Sequence, residues 1–292
     1  MKPAAFDYVR ADSADEAVDL LARHGEDARI LAGGQSLMAV LNMRLAQPAL
    51  LIDISRSKPL ASVARDDGAL LVGAAATQAS LEWRPGLAEE LPLLAQAFPH
   101  ISHFQIRNRG TVCGSVAHAD PSAELPLCLL ALQGEVRLRS AKRRRTLPAE
   151  TFFTGMLSTA RQNDELLEAV RFPLARPGSG YGYGFTEFSA RHGDFAICAV
   201  AAVVHKAGIR LAVGGVADRP RAQDWPLLDG SALDDALNEF AWALDARDDA
   251  QISAATRRHL VRRLGRQAIA SAHANGKNAN NAIRANNPPR PQ

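Results

Sequence analysis

Cysteine is scarce in this sequence. Its 292 residues hold three, Cys113, Cys128 and Cys198, none of them in a CxxC pair. An odd, widely spaced set argues against a disulfide framework and fits a reducing, cytoplasmic setting. It also excludes an iron–sulfur cluster held by this chain alone, because such clusters usually take four cysteine ligands. Long apolar runs are missing too. The longest, Phe195–Val204, falls far short of the ~20 residues that span a bilayer, so no membrane span is expected. The opening MKPAAFDYVRADSADE has no apolar core of the kind that marks a secretory signal. Neither sign of charge dominates: 34 basic against 31 acidic residues give +3, and a dedicated nucleic-acid binder shows a larger basic surplus.

What is present is enough apolar residue, 47%, to build a sizeable core in two domains, or in one with an appended lobe. Ser13 and Glu16 form a capping box at the start of a helix whose apolar face includes Ala17, Val18 and Leu21, with Gly25 as its stop. ARILA and LLIDI read as strands flanking a glycine loop, a β-loop-α-β unit ending near residue 55. ALLVGAAA reads as a strand and Thr77 as the cap of a short helix through Trp83. Helices are expected around Leu87–Ala97 and Glu124–Leu132, a hairpin over GEVRLRS and RRRTLP, and a closing strand at ELLEAVRFP. Pro173, Pro177, Gly178 and Gly180 mark a boundary. Beyond it, YGYGFTEFSA, FAICAVAAVVHK and IRLAVGGVA read as strands, with KAG as a hairpin turn. A basic helix over about 252–274 follows, and the Asn/Pro-rich residues 275–292 are expected to be disordered.

Two glycine-bearing stretches carry the chemistry: RILAGGQSLMAVL from Arg29, and RNRGTVCGSVAHADPSAELP from Arg107. Glycine lets a ligand approach the backbone closely and accepts positive φ, and successive N–H groups curled into a nest bind anions. Gly33, Gly34, Gln35 and Ser36 supply one set of donors; Thr111, Gly114 and Ser115 supply a second. One set for each half of a pyrophosphate explains why there are two. Neither loop is G-x-G-x-x-G or G-x-x-x-x-G-K-[ST], which argues against a Rossmann site and a P-loop.

Taken together, the two loops resemble the FAD-binding medium subunit of the molybdenum hydroxylases, the xanthine dehydrogenase and carbon monoxide dehydrogenase family. The likeness continues through DELLEAVRFP, FTEFSARHGDFAICAVAA, GGVADRP and RRHLVRRLGRQAIASA, covering roughly residues 1–274. It implies an α+β protein. An FAD-binding domain of the PCMH type over 1–175 would contain two α/β subdomains, about 1–55 and 56–175, with FAD in the crevice between them. A C-terminal α+β domain with an antiparallel sheet would follow over 176–274. The resemblance implies that Leu31, Ala32, Gly33, Gly34, Gln35, Ser36 and Leu37 wrap the FAD pyrophosphate, with Thr111, Val112, Cys113, Gly114 and Ser115 on its other side. It implies that His118 reaches toward the flavin, that Glu124 contacts the adenosine side, and that Leu167 and Phe195 lie near the cofactor. The family pattern has Gly-Gly where this chain has Cys113-Gly114; a small buried residue is the favoured reading of that cysteine.

The function implied is that of a flavoprotein subunit, with no acid–base catalyst of its own. It passes electrons from [2Fe–2S] clusters in a small partner subunit through FAD to NAD, dioxygen or another carrier. A large partner subunit carries molybdopterin, in what is expected to be a dimer of heterotrimers. The substrate belongs to that large subunit and is not legible here. Two alternatives stand beside it: a stand-alone FAD-dependent oxidase or dehydrogenase, and a non-enzymatic nucleotide-binding or assembly protein. The first would need SARHGDFA, with Arg191, His192 and Asp194, to supply a catalytic base; a structural turn is the preferred reading. His100, His103, Cys113 and His118 are zinc-ligating types, but Pro99 disturbs the helix that would pair the first two, and no metal is expected. The run Lys142–Arg145 reads as a solvated hairpin edge. Arg107 and Arg109 either brace the second loop or neutralise the pyrophosphate.

Overall fold

Ser13 begins the first helix as its spacing from Glu16 requires. Its hydroxyl accepts the Glu16 N–H at 3.2 Å, and the Glu16 carboxylate reaches back to the Asp12 N–H at 2.8 Å, satisfying donors that every helix start leaves open. The helix runs Ala14–His24 and buries Ala17, Val18 and Leu21. The computed structural model describes residues 2–175, 180–250 and 252–286, with side chains described as far as 276.

The chain gathers into two units. The first comprises Met1–Pro85, Ser102–Asp120 and Gln133–Pro173; the second comprises Gly86–Ile101, Pro121–Leu132 and Leu174–Gln292. The last segment of the first unit ends at Pro173, and the last segment of the second begins at Leu174. Two segments of the N-terminal half, Gly86–Ile101 and Pro121–Leu132, cluster with the C-terminal sheet. The reason is visible in the helix Glu124–Ala131, ELPLCLLA, in which every residue is buried. A helix apolar on all sides must be covered on all sides.

In the first unit, strands β1 (Asp7–Arg10), β2 (Ala28–Leu31) and β3 (Leu50–Asp53) form a parallel sheet in the order β1-β3-β2. Strand β1 was not foreseen; DYVR is too short and too exposed to show a period. A second sheet is antiparallel throughout, in the order β4 (Val63–Asp66), β5 (Ala69–Gly73), β10 (Leu166–Pro173), β6 (Glu135–Arg139), β7 (Arg144–Pro148); a two-stranded ladder of β8 (Phe153–Gly155) and β9 (Ser158–Thr159) lies between β7 and β10 in sequence. The expected hairpin is β6–β7. Thr77 caps the helix Gln78–Glu82, its hydroxyl accepting the Ser80 N–H at 3.1 Å.

The second unit contains a four-stranded antiparallel sheet, β11 (Gly182–Ser189), β12 (Ala196–His205), β13 (Gly208–Gly214) and β14 (Arg221–Trp225), in that order. Alternation does the sorting on β12. Cys198, Val200, Ala202 and Val204 join Leu233, Leu237 and Phe240 of the helix Gly230–Ala243, and Leu260, Leu264 and Ile269 of the final helix, in one core. Ala199, Ala201 and Val203 are buried as well, and helix Glu124–Ala131 packs against β12 and β13. The final helix crosses β11 so closely that a Cβ on Gly182 would stand 2.7 Å from the carbonyl carbon of Ala272. That helix extends over Ala254–Asn286, past the end expected at 274. Asn275, in the segment expected to be disordered, donates its side-chain N–H to the Tyr183 carbonyl at 3.0 Å. Residues 287–292 lie outside the described residues.

The hairpin arginines also need correction. Arg145 is not merely solvated: its guanidinium pairs in two places, at 2.7 Å each, with Glu165, whose side chain is 1% exposed. Arg143 stands 3.4 Å from the same carboxylate. Burial pushes Glu165 up, but the Arg145 hydrogen bonds, the Gln162 N–H and both arginine charges outweigh it and hold the carboxyl below its ordinary value. A folded-state value below the unfolded one contributes stability that is complete above the ordinary glutamate range and is lost as pH falls through the folded value. Arg145→Ala is expected to lower stability by about 2 kcal/mol at pH 7. Chemical denaturation should show that difference shrinking in solution more acid than the ordinary glutamate pKa.

Candidate cofactor site

Strand β2 ends at Leu31, and the chain turns at once through Gly33 and Gly34 into the helix Leu37–Asn42. Gly34 sits at φ +72, a conformation that costs an ordinary L residue about 1–2 kcal/mol. Gly33 is needed for a different reason. A Cβ there would stand 2.6 Å from the Cα of Gly110 and closer still to the Arg109 carbonyl oxygen. The two glycine loops touch, backbone to backbone. The second is held in turn by its own bonds: Gly110 accepts the Gln78 N–H at 2.7 Å, and Val112 donates to the Ala76 carbonyl at 3.1 Å.

Beside this contact lies a cleft of about 370 Å³ lined by Leu31, Ala32, Gly33, Gly34, Gln35, Met38, Asp53, Ser55 and Arg109. The backbone N–H groups of Gly33, Gly34, Gln35, Ser36 and Leu37 find no acceptor among the described residues. Such a run of open donors is a ready anion nest. Arg109 is exposed and faces the cleft, whereas Arg107 forms a fork with Glu82 at 2.7 and 2.9 Å. Of the two arginines left open by the sequence, Arg107 is tied to Glu82 and Arg109 is among the residues lining the cleft.

Thr111–Ser115 are not among the residues that line this cleft. Thr111 caps the helix Val112–His118, its hydroxyl accepting the Gly114 N–H at 2.9 Å, and Ser115 N–H goes to the Thr111 carbonyl at 3.1 Å. The N–H groups of Val112, Gly114 and Ser115 are therefore already engaged within the chain. Gly114 is glycine because a Cβ would come 2.6 Å from the Thr111 hydroxyl oxygen. The Cys113 thiol is buried, donates to the Val72 carbonyl at 3.3 Å, and is pushed far up by burial, so it is an inert packing group. His118 is half-buried at the helix end. Leu167 is buried on β10 opposite Leu138.

Glu124 and Phe195 belong to the second unit. Phe195 is 71% exposed just before β12. Glu124 is buried in the first turn of its helix and lies near a second acid, Glu187 of β11. Burial first, and the Glu124 charge second, push Glu187 up to about 8. Its Oε1 stands 3.9 Å from His100 Nδ1, and its Oε2 has no hydrogen-bond partner among the described residues. Burial, and then the charge of His192, hold His100 low. His192 and Asp194 form no dyad: Arg191 donates to the Asp194 carboxylate at 3.0 Å and its carbonyl accepts the Asp194 N–H at 3.0 Å. SARHGDFA is a turn between β11 and β12.

Residues 4–175 match the family model of the FAD binding domain in molybdopterin dehydrogenase. The chain belongs to this family. Relatives extend the match over nearly the whole length. The nicotine 6-hydroxylase medium subunit of Paenarthrobacter nicotinovorans is 40% identical over 94% of this chain and 99% of its own. The 6-hydroxypseudooxynicotine dehydrogenase complex subunit alpha of the same organism is 44% identical over 70% of this chain and 68% of its own. Among solved structures, reconstituted CO dehydrogenase from Oligotropha carboxidovorans superposes with a TM-score of 0.89 at 30% identity, covering 94% of this chain and 100% of that one. The FAD-binding domain of this molybdopterin dehydrogenase family member thus contains both glycine loops and the cleft. An amide nest beside an arginine fits a diphosphate-bearing cofactor. Sequence reading missed Met38, Asp53 and Ser55. Asp53 had a signal, being the one charged residue in the strand LLID.

Two predictions follow from these contacts. Gly33→Ala is expected to part the loops and lower FAD affinity at least tenfold, whereas Gly34→Ala costs only about 1–2 kcal/mol of stability; flavin titration and thermal melts separate them. Glu187 has a folded value above its unfolded one, so its ionisation opposes folding increasingly between the ordinary glutamate range and about pH 8. Glu187→Gln should therefore gain stability over the parent across that window, and little below it.

Proposed function

We propose that this chain is the flavoprotein, or medium, subunit of a molybdenum-containing hydroxylase or dehydrogenase. It receives electrons from [2Fe–2S] clusters in a small subunit and hands them to an external acceptor: NAD, dioxygen or another carrier. A large subunit with molybdopterin carries out the substrate chemistry, in a cytoplasmic assembly built as a dimer of heterotrimers. The observation that carries this reading is the row of open backbone donors from Gly33 to Leu37, set beside Arg109 in a cleft of cofactor-binding size. Support comes from the near full-length match to a subunit named medium in its own complex. The described residues include no helix long and apolar enough to cross a membrane, and the three cysteines are buried and free.

In this reading the Gly33–Leu37 amides hold the diphosphate, and Arg109 offsets its charge. The contact of Gly33 with Arg109–Gly110 fixes those amides before the cofactor arrives, so little ordering remains to oppose binding. Bound FAD supplies the redox chemistry. The chain has no need of a base that acts on substrate. Asp194, the partner that would orient His192 in a stand-alone oxidase, is held by Arg191 instead.

The purified chain, reconstituted with FAD, is expected to take up an equimolar amount of flavin. That flavin should stay oxidised when small organic substrates are added, and become reduced only when the large and small subunits are present. Direct reduction by a substrate with no other subunit would establish the stand-alone enzyme. Failure to retain any flavin would establish the non-enzymatic reading.

A further inference from the structure

The cleft is lined by groups of opposite sign. Gly33, Gly34 and Gln35, with their open amide N–H groups, and Arg109 line it together with Asp53, at the end of β3 and paired in register with Leu31, and Ser55. Asp53 is 8% exposed. Its Oδ1 accepts the Ser55 N–H at 2.7 Å, and its Oδ2 accepts the Tyr8 hydroxyl. Burial alone would push this carboxyl up. The Tyr8 and Ser55 hydrogen bonds and the Arg56 charge outweigh it, and the group is held below its ordinary value.

An ionised carboxylate has room for about four hydrogen bonds, and Tyr8 and Ser55 do not fill them all. It cannot serve the phosphates themselves, because like charges repel at this range. Its complement is a group that donates and carries no negative charge. In a diphosphate cofactor the nearest such groups are hydroxyls on the sugar or sugar-alcohol next to the phosphates. Open α/β nucleotide sites use an acid in this way, reading sugar hydroxyls from beyond a strand end while the phosphates sit on a glycine loop.

We propose that Asp53 is the hydroxyl-reading residue of this cleft. It accepts from the vicinal hydroxyls adjoining a diphosphate seated on the Gly33–Leu37 amides, and Tyr8 is the positioning residue that fixes the carboxylate. The proposal rests on the FAD-binding reading above and adds to it a specificity. A ligand bearing a further phosphate in place of those hydroxyls meets the Asp53 charge and is refused. The hydroxyls of the adenosine ribose and of the ribityl chain share one chemistry, and binding measurements can tell them apart.

The test is a set of titrations on the intact flavin-free chain, followed by flavin fluorescence and by calorimetry with nucleotide probes. Asp53→Asn is expected to weaken FAD binding tenfold to a hundredfold, the scale of a lost hydrogen bond to a charged group. If the ribose is read, the parent chain prefers ADP to 2′-deoxy-ADP, and Asp53→Asn abolishes that preference. If the ribityl chain is read, the two nucleotides bind the parent equally, and Asp53→Asn weakens FMN instead. Tyr8→Phe alters a side chain on an exposed residue, leaves the carboxylate in place, and should reduce the same preference in part. It decides the matter should Asp53→Asn fail to fold. Parent-like affinity of the folded variants for FAD, ADP and FMN overturns the proposal and leaves the FAD reading intact. A parent chain that binds no FAD overturns both.

Discussion

Gly33 presses its α-carbon against the backbone of Arg109 and Gly110, leaving no room for even one methyl group. Everything assigned to the site depends on that approach. Strand β2 delivers the first loop, and the bonds Gln78 N–H to Gly110 and Val112 N–H to Ala76 deliver the second. Two segments some 75 residues apart in sequence are locked together with no side chain between them. Because the interlock is made of main chain, the open amides of Gly33–Leu37 and the backbone of Arg109 and Gly110 are held in a fixed relation. Preorganisation of this kind reduces the ordering cost of binding.

The rest of the first unit serves this relation. The helix Val112–His118 packs on β5 and β10, with the Cys113 thiol turned inward to Val72. The Cys113 side chain is accommodated in the packed interior of the unit. Arg107 and Glu82 tie the approach to the second loop. The second unit has its own logic. Small residues on β12 let helices cover both faces of the strand, and two neighbouring acids, Glu124 and Glu187, are buried together at a cost that β11 and the helix Glu124–Ala131 sustain.

Most of the architecture could be read from the sequence because period and capping agreed with tertiary packing. The Ser13–Glu16 box, Thr77, the β6–β7 hairpin and the strand-like runs of β11 to β13 are local signals that nothing overrode. The family itself was legible in the paired loops. Less legible was what contact at a distance decides. ELPLCLLA read correctly as a helix, but its apolar faces do not say which sheet they cover. Arg145 read as a solvated charge because Glu165, twenty residues on, gives no local sign of being buried. Gly33 was read as a place where a ligand can come close; that it also meets the backbone of Arg109 and Gly110 left no local sign in the sequence. Asp53 was passed over because a strand-end acid looks ordinary until the loop that faces it is known.

The central claim is that the Gly33–Leu37 amides hold the diphosphate of the cofactor. Amide hydrogen exchange, followed by mass spectrometry on the peptide spanning residues 31–38, tests it most directly. Saturating FAD and ADP should both slow exchange there strongly, and riboflavin, which has no phosphate, should not. Bound FAD that leaves this peptide exchanging as fast as in the flavin-free chain would contradict the account.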